Sequence, residues 1–403
     1  MRVLILGAGP AGLSVATRLL ELGNRDILIL EKESEAGGLC RSVFVDDAPI
    51  DIGGGHFLDY QNALVKEYLF RYLPKDEWNL FERDSRIYMG DKEISHPLEA
   101  NIWQLDIDEQ IDCLISISKA GCNTGVSKPE HFVEWIYWKL GQKIAEEYMI
   151  PYNRKMFSGD LDQLGTYWME KLPNVSFKET LRSCIERRAY GTQPGHARFL
   201  YPKKYGYGEV WNRMASELGR RIEYNSTVTK IDFDTRTVTT SGNESFKADV
   251  VISTIPWVEL EGASDFPSQL KDGISKLKNN SVKIEYIDKQ IDTNAHWIYV
   301  PNKDISYHRI LVRQNFYPEA VGYWTETNLE RTEKNSDSCR FSYVNEYAYP
   351  LNTIDKPNIM KRLLTYAKKH GVIGLGRWGE HQHFNSDVTV ERALKLAETI
   401  LDG

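Results

Sequence analysis

Cysteine is scarce in this chain and never paired at short spacing. The five present (Cys40, Cys113, Cys122, Cys184 and Cys339) include no CxxC, and their number is odd. This excludes a disulfide framework and a zinc ribbon and suits a reducing cytoplasm. No apolar run reaches the about 18 residues needed to span a bilayer. The apolar start at Val3 is broken by Gly7, Gly9 and Pro10, so it reads as a strand rather than a signal peptide or a membrane span. Basic runs are missing too. Fifty Lys and Arg stand against 57 Asp and Glu, a net charge of −7, which makes nucleic acid and anionic membrane poor partners. Internal repeats and low-complexity segments are absent, and no His/Cys spacing suggests a metal. The 403 residues exceed one typical domain, so two or three units sharing one chain are expected.

What is present begins with Val3-Leu4-Ile5-Leu6, a short continuous apolar run of the kind buried on both faces of a parallel sheet. It runs into Gly7-Ala8-Gly9-Pro10-Ala11-Gly12, and a helix is expected over 13–22. Glycines here allow a tight turn, close approach of backbone to a pyrophosphate and close packing of helix on strand. The helix N-terminus adds free N–H groups. A second strand is expected over 27–30. It ends at Glu31-Lys32, nineteen residues after Gly12, where a carboxylate can accept both hydroxyls of a ribose. Together these predict a dinucleotide site.

Two further glycine clusters separate FAD from a dissociable nicotinamide. Gly37-Gly38-Leu39-Cys40-Arg41 and Gly53-Gly54-Gly55-His56 let backbone run along a flat, extended cofactor without Cβ interference. Helical periodicity then dominates 99–186. Alternating strands are expected over 220–240, a buried strand over 248–256 and antiparallel strands over 281–312. A short strand over 372–375, the loop Gly376-Arg377-Trp378-Gly379 and a helix over 387–401 close the chain. That last helix offers a second N-terminus to a flavin ring.

Several segments carry a family resemblance: Gly37-Gly38, 51–56, 95–101, Pro151-Tyr152-Asn153, 199–211, 296–301, Tyr349-Pro350 and 376–379. In this order they resemble the flavoprotein superfamily of amine oxidases, protoporphyrinogen oxidases and UDP-galactopyranose mutases, and are most similar to the mutases. The resemblance implies an α/β fold: a discontinuous Rossmann-type FAD domain (1–84, 200–258 and 371–403), an inserted helical domain (102–190) and an antiparallel-sheet substrate domain (85–101 and 259–370). It implies that Glu31 and Lys32 lie at the adenosine ribose and the Val228 backbone at the adenine, with Gly7, Gly9, Ala11, Gly12, Gly37, Gly38, Leu39 and Arg41 along the pyrophosphate side. Gly54, Gly55, His56, Gly206, Gly208, Arg377 and the Asn385-Ser386-Asp387 turn would border the flavin, with His56 as the catalytic residue.

The implied activity is redox-neutral isomerisation of a nucleotide sugar between pyranose and furanose, by way of an adduct at reduced flavin N5, in surface-polysaccharide synthesis. A reductant (NADPH, NADH or a reductase) is implied with it. On the substrate side stand Asn153, Tyr349, His96 and Asn101. Here the chain departs from the pattern. Lys171 stands where one diphosphate-binding arginine belongs, none stands in 284–288, and His96, Leu98 and Glu99 replace the uracil-side residues. Arg309 and Arg313, four apart on an expected strand and so two strand periods from each other, share a face and offer replacement charge. The departures keep two other readings open: an FAD oxidase or dehydrogenase of the amine-oxidase or protoporphyrinogen-oxidase type, and a flavin-binding protein without catalysis. The helical stretch 135–138 is a candidate homodimer contact and a better candidate for the core.

Overall fold

Parallel strands drawn from both ends of the chain form the scaffold on which the site is built. The computed structural model describes residues 1–169, 174–191, 197–262, 264–331 and 339–402. Its parallel sheet has the order Ile222–Glu223, Ile27–Leu30, Val3–Leu6, Val250–Ser253, Val372–Gly374. Val3–Leu6 lies at the centre and is inaccessible throughout, because both faces of the sheet are covered. Val3 and Ile5 pack with Leu13, Ala16 and Leu19 of helix Pro10–Glu21 and with Val390, Ala393 and Leu394 of the last helix, Ser386–Asp402. Leu4 and Leu6, pointing the other way, pack with Phe233, Trp257, Met360 and Leu363. The period of two thus divides one tetrapeptide between two cores.

The first helix starts at Pro10, three residues before the expected position, because proline at the first helical position carries the required φ and has no N–H to satisfy. Gly376–Gly379, expected as a loop, is a single helical turn entered with Gly376 at φ +77°.

A seven-stranded sheet faces this scaffold, in the order Cys339–Pro350, Asn279–Ile287, Tyr323–Asn328, Arg309–Val312, Trp297–Tyr299, Ser85–Met89, Lys92–Ser95. Its ladders are antiparallel except that Trp297–Tyr299 runs parallel to Ser85–Met89. Between these strands the chain forms the helices Ile107–Ser118, Phe132–Ile144, Ile150–Phe157 and Phe177–Glu186. Capping boxes (Asp106 with Glu109, Ser176 with Glu179) start two of them. Their core joins Phe132, Ile136, Leu140 and Ile144 to Ile87, Ile94 and Tyr299 of the sheet. Among the described residues no helix is long and apolar enough to cross a membrane, and no group of His, Cys, Asp and Glu could hold a metal ion.

Candidate functional site

At the carboxyl ends of the parallel strands the chain leaves a long groove of about 1400 Å³, counting its open mouth. Of the residues expected at a cofactor, Gly7, Gly9, Ala11, Glu31, Lys32, Gly38, Leu39, Arg41, His56, Val228, Arg377 and Ser386 line it. Gly12, Gly37, Gly54, Gly55, Gly206, Gly208, Asn385 and Asp387 do not. Most of these shape the walls from behind. A Cβ on Gly12 would stand inside the contact radius of the Gly7 carbonyl oxygen, and Gly206 and Gly208 pack against Ser42. The groove is also lined by residues that reasoning from sequence did not place there, including Ser226, Thr254, Glu259, Tyr343 and Tyr347.

Three observations show that the groove fits a dinucleotide. Helix Pro10–Glu21 begins at Gly9 with no side-chain cap and no acidic residue in its first turn, so its leading N–H groups are left for an anion. The two glycine loops meet, with a Cβ on Gly38 only 3.3 Å from Gly9 Cα, and Gly37 N–H donates to Ala8 O at 2.8 Å. Glu31 lies at the end of its strand, accepting from Ala8 N (2.6 Å) and Glu33 N (2.9 Å). Each oxygen keeps a second lone pair for a ribose hydroxyl. Burial pushes its pKa up and those two bonds oppose the shift. Cys40, also in the groove, is a buried thiol pushed up to about 12, so it is not a nucleophile.

At the other end stands His56, half-buried. Its Nδ1 lies 3.0 Å from Gly54 O, a group that only accepts, so Nδ1 carries the proton and Nε2 keeps a lone pair. Burial, reinforced by the charge of Arg377, lowers its pKa to about 4, and the ring is neutral at pH 7. Arg377 donates to Phe384 O (3.1 and 2.9 Å) and Ala348 O (3.1 Å). Among the described residues its charge has no carboxylate partner. Beneath His56 the carboxylate of Asp51 is fully buried, accepting from Ser42 Oγ (2.5 Å), Tyr201 OH (3.1 Å) and Tyr207 N (3.2 Å). Tyr207 OH in turn meets Ser386 Oγ at 2.6 Å, which ties the glycine loop to the start of the last helix.

Burial raises the Asp51 pKa from 3.8 to about 7, against the opposing pull of those bonds. A carboxyl with a raised folded-state pKa stabilises the fold below its unfolded value and loses that contribution as pH rises through the folded value. Stability should therefore fall between about pH 4 and pH 7, by as much as about 4 kcal/mol. Asp51→Asn should flatten this slope in melting temperature against pH. Parallel slopes for variant and wild type would contradict the assignment.

Behind Gly54 a second cluster opens. Arg309 donates through Nε (2.9 Å) and Nη2 to Glu326 Oε2, and through Nη2 to Tyr349 OH (3.1 Å). Burial opposes the ionisation of Glu326, yet the charge of Arg309 outweighs it and holds the carboxyl at about 2. His308 Nε2 lies 3.6 Å from the same carboxylate. Rings continue outward: Tyr349 on His383 (4.8 Å between centroids), Tyr152 on His308 (6.1 Å) and Tyr299 (5.4 Å), and His96 on Tyr299 (4.8 Å).

Not all of the expected substrate residues point to this cluster. Asn153 and Asn101 donate to the backbone of their own helices, at Met149 O (2.7 Å) and Pro97 O (2.9 Å). Lys171 lies outside the described residues. Arg313 does not stay on the Arg309 face. The strand ends at Val312, and the Arg313 guanidinium turns to Pro49 O (3.1 Å), Val45 O and Ala48 O, bracing the hairpin that leads to Asp51.

The fold and the groove together define a dinucleotide-binding flavoprotein, with FAD as its cofactor. The chain belongs to the flavin-containing amine oxidoreductases, whose family model matches residues 65–284. Residues 5–73 match an NAD(P)-binding Rossmann-like domain. Among solved structures, that of reduced UDP-galactopyranose mutase superposes with a TM-score of 0.89 at 23% identity, over 100% of this chain and 94% of that one. Wild-type putrescine oxidase bound to putrescine gives 0.61 at 14% identity, over 100% and 99%. An uncharacterised protein in the nifH2 3' region of Methanothermococcus thermolithotrophicus is 34% identical over 108 residues, 26% of this chain and 98% of that protein. The solved structures share the fold with this chain.

Proposed function

We propose that this flavoenzyme isomerises a nucleotide sugar between pyranose and furanose, with FAD in its reduced form, in the synthesis of a surface polysaccharide. The observation that carries the reading is the full-length likeness to the reduced mutase. Reduced FAD would supply the nucleophile for the anomeric carbon and be regenerated unchanged, so the net reaction involves no redox change. The rest falls to the chain. Neutral His56 offers its Nε2 lone pair as a hydrogen-bond acceptor at the ring end of the groove. The charge of Arg377 and the N-terminus of Ser386–Asp402 favour an anionic ring there. Tyr349, its oxygen already accepting from Arg309, keeps its proton for a diphosphate oxygen.

In this reading segments 1–84, 200–258 and 371–403 hold the cofactor. Segments 85–101 and 259–370 supply the substrate wall and 102–190 closes it, in a cytoplasmic enzyme served by NADPH, NADH or a reductase.

One observation favours a second reading, an amine-oxidase-type oxidase or dehydrogenase. The cation offered to a diphosphate, Arg309, is already paired with Glu326, an arrangement that also suits an uncharged or cationic ligand. Dithionite-reduced protein should convert UDP-galactose, or a related UDP- or dTDP-hexose, to a furanose detectable by chromatography, and oxidised protein should not. Oxygen consumption on addition of amines, with no furanose from any sugar nucleotide, would replace the first reading with the second.

A further inference from the structure

The outer wall of the groove comes from neither glycine loop. It is strand Cys339–Pro350, the edge of the seven-stranded sheet, some 300 residues away in sequence from the loops it faces. Residues 343–347 line the groove. Tyr343, Asn345 and Tyr347 are more buried than Ser342, Val344 and Glu346 between them, as alternation along a strand requires. Each of the three is tied to the opposite wall. Tyr343 OH accepts from Arg41 Nη2 at 2.7 Å, Asn345 Nδ2 donates to Ile52 O at 2.5 Å, and Lys32 Nζ stands 5.8 Å from the centroid of the Tyr347 ring. Trp378 meets the Tyr347 ring edge-on at 5.4 Å, and Lys32 is also paired with Glu259 at 3.6 Å.

The chemistry of the two tyrosines differs. Arg41 spends Nε on Gly38 O (3.1 Å) and Nη1 on Glu35 (3.2 Å), so its fork is directed along the loop rather than into the groove. By accepting from Arg41, Tyr343 keeps its own proton, and it does so beside Gly38, where the two glycine loops meet. A polarised O–H at that place suits a phosphate oxygen. Tyr347 lies about 13 Å further along the strand, at roughly 3.3 Å per residue. It is held against Lys32, next to the Glu31 carboxylate, and presents a ring rather than a charge.

We propose that this edge strand is a clamp on the adenosine-diphosphate half of FAD. Tyr343 donates to the pyrophosphate and Tyr347 covers the ribose side, so that retention of the cofactor depends on contacts between the edge of one sheet and the loops that it faces.

The test is FAD binding, which does not depend on the reaction catalysed. Apoprotein is titrated with FAD by flavin fluorescence, dissociation is followed after dilution, and ADP is used as a competitor. Tyr347→Leu should raise the FAD dissociation rate about tenfold, whereas Tyr347→Phe, which keeps the ring, should stay within about twofold of wild type. Tyr343→Phe should weaken FAD and ADP alike, by about fivefold. Lys32→Gln, at a solvent-facing side chain that does not endanger the fold, should speed dissociation about threefold. Apoprotein melting temperatures separate these effects from loss of fold. Wild-type affinity and dissociation rate in Tyr343→Phe and Lys32→Gln, or an equal loss in Tyr347→Phe and Tyr347→Leu, would overturn the clamp.

Discussion

Gly12→Ala should yield protein without bound flavin and with stability lowered by about 3 kcal/mol or more. The new Cβ would overlap the carbonyl oxygen of Gly7 and press on the Ile5 side chain 3.3 Å away. Neither can give way. The Gly7 oxygen belongs to the turn that aims the helix N-terminus into the groove, and Ile5 is an inaccessible residue of the central strand. The substitution must therefore tilt helix Pro10–Glu21 off the sheet, which separates Gly9 from the Gly38 loop and opens the anion site between them. Flavin absorbance per mole of purified protein and the melting temperature measure the two consequences. A yellow variant melting like the wild type would show that the packing between helix and strand is looser than the geometry requires. Gly23→Ala serves as a control on generic glycine effects. No atom stands near its Cβ, and only its φ of +95° opposes the change.

Glu326→Gln should destabilise the protein by about 3 kcal/mol at pH 7, because it leaves the Arg309 guanidinium in a buried site without its counter-charge. Glu326 is 1% exposed, so solvent screening offers little relief. The pH dependence carries the sign. The carboxyl pKa is lowered on folding, from 4.5 to about 2, so its contribution is complete above the unfolded value and is lost as pH falls from about 4.5 toward 2. The gap in stability between variant and wild type should close over the same range. Combined with Arg309→Met, the substitution should cost less than the sum of the two singles, since no unpaired charge remains. Ligand binding gives the second readout. With Glu326 neutral, Arg309 is free to take an anion, and affinity for UDP should rise in the variant. Equal stability of Glu326→Gln and wild type at pH 7 would refute the ion pair. Unchanged UDP affinity would place the diphosphate away from Arg309.

Local pattern was enough for the cofactor half of the molecule. The turn Gly7 to Gly12 and the acid at Glu31 lie within one unit of strand, helix and strand, whose residue pattern is legible over some thirty consecutive positions even though contacts such as Ala8 N to Glu31 span 23 of them. The doublet Gly37-Gly38 and the run Gly53 to Gly55 could be read because glycine is required wherever backbone meets backbone. The substrate side was less legible for the same reason. Asn153 and Asn101 are polar residues on helices, and only the folded chain reveals that their amides are spent on their own backbone carbonyls. Arg309 and Arg313 share a face in an ideal strand, but the strand ends between them. The alternation Tyr343, Asn345, Tyr347 went unread, because nothing in the sequence names the wall that a strand face will meet.

The primary structure therefore decided the class of fold, the dinucleotide loops and the flavin-type glycine clusters, since these depend on short-range sterics and on periodicity. Tertiary structure alone decided which charges are paired. Glu326 and Arg309 come from neighbouring strands, the Tyr343 and Arg41 contact joins a sheet edge to a glycine loop, and the raised pKa of Asp51 arises from burial by distant segments. Desolvation and Coulomb energy depend on distance in space, and a linear sequence does not contain that distance.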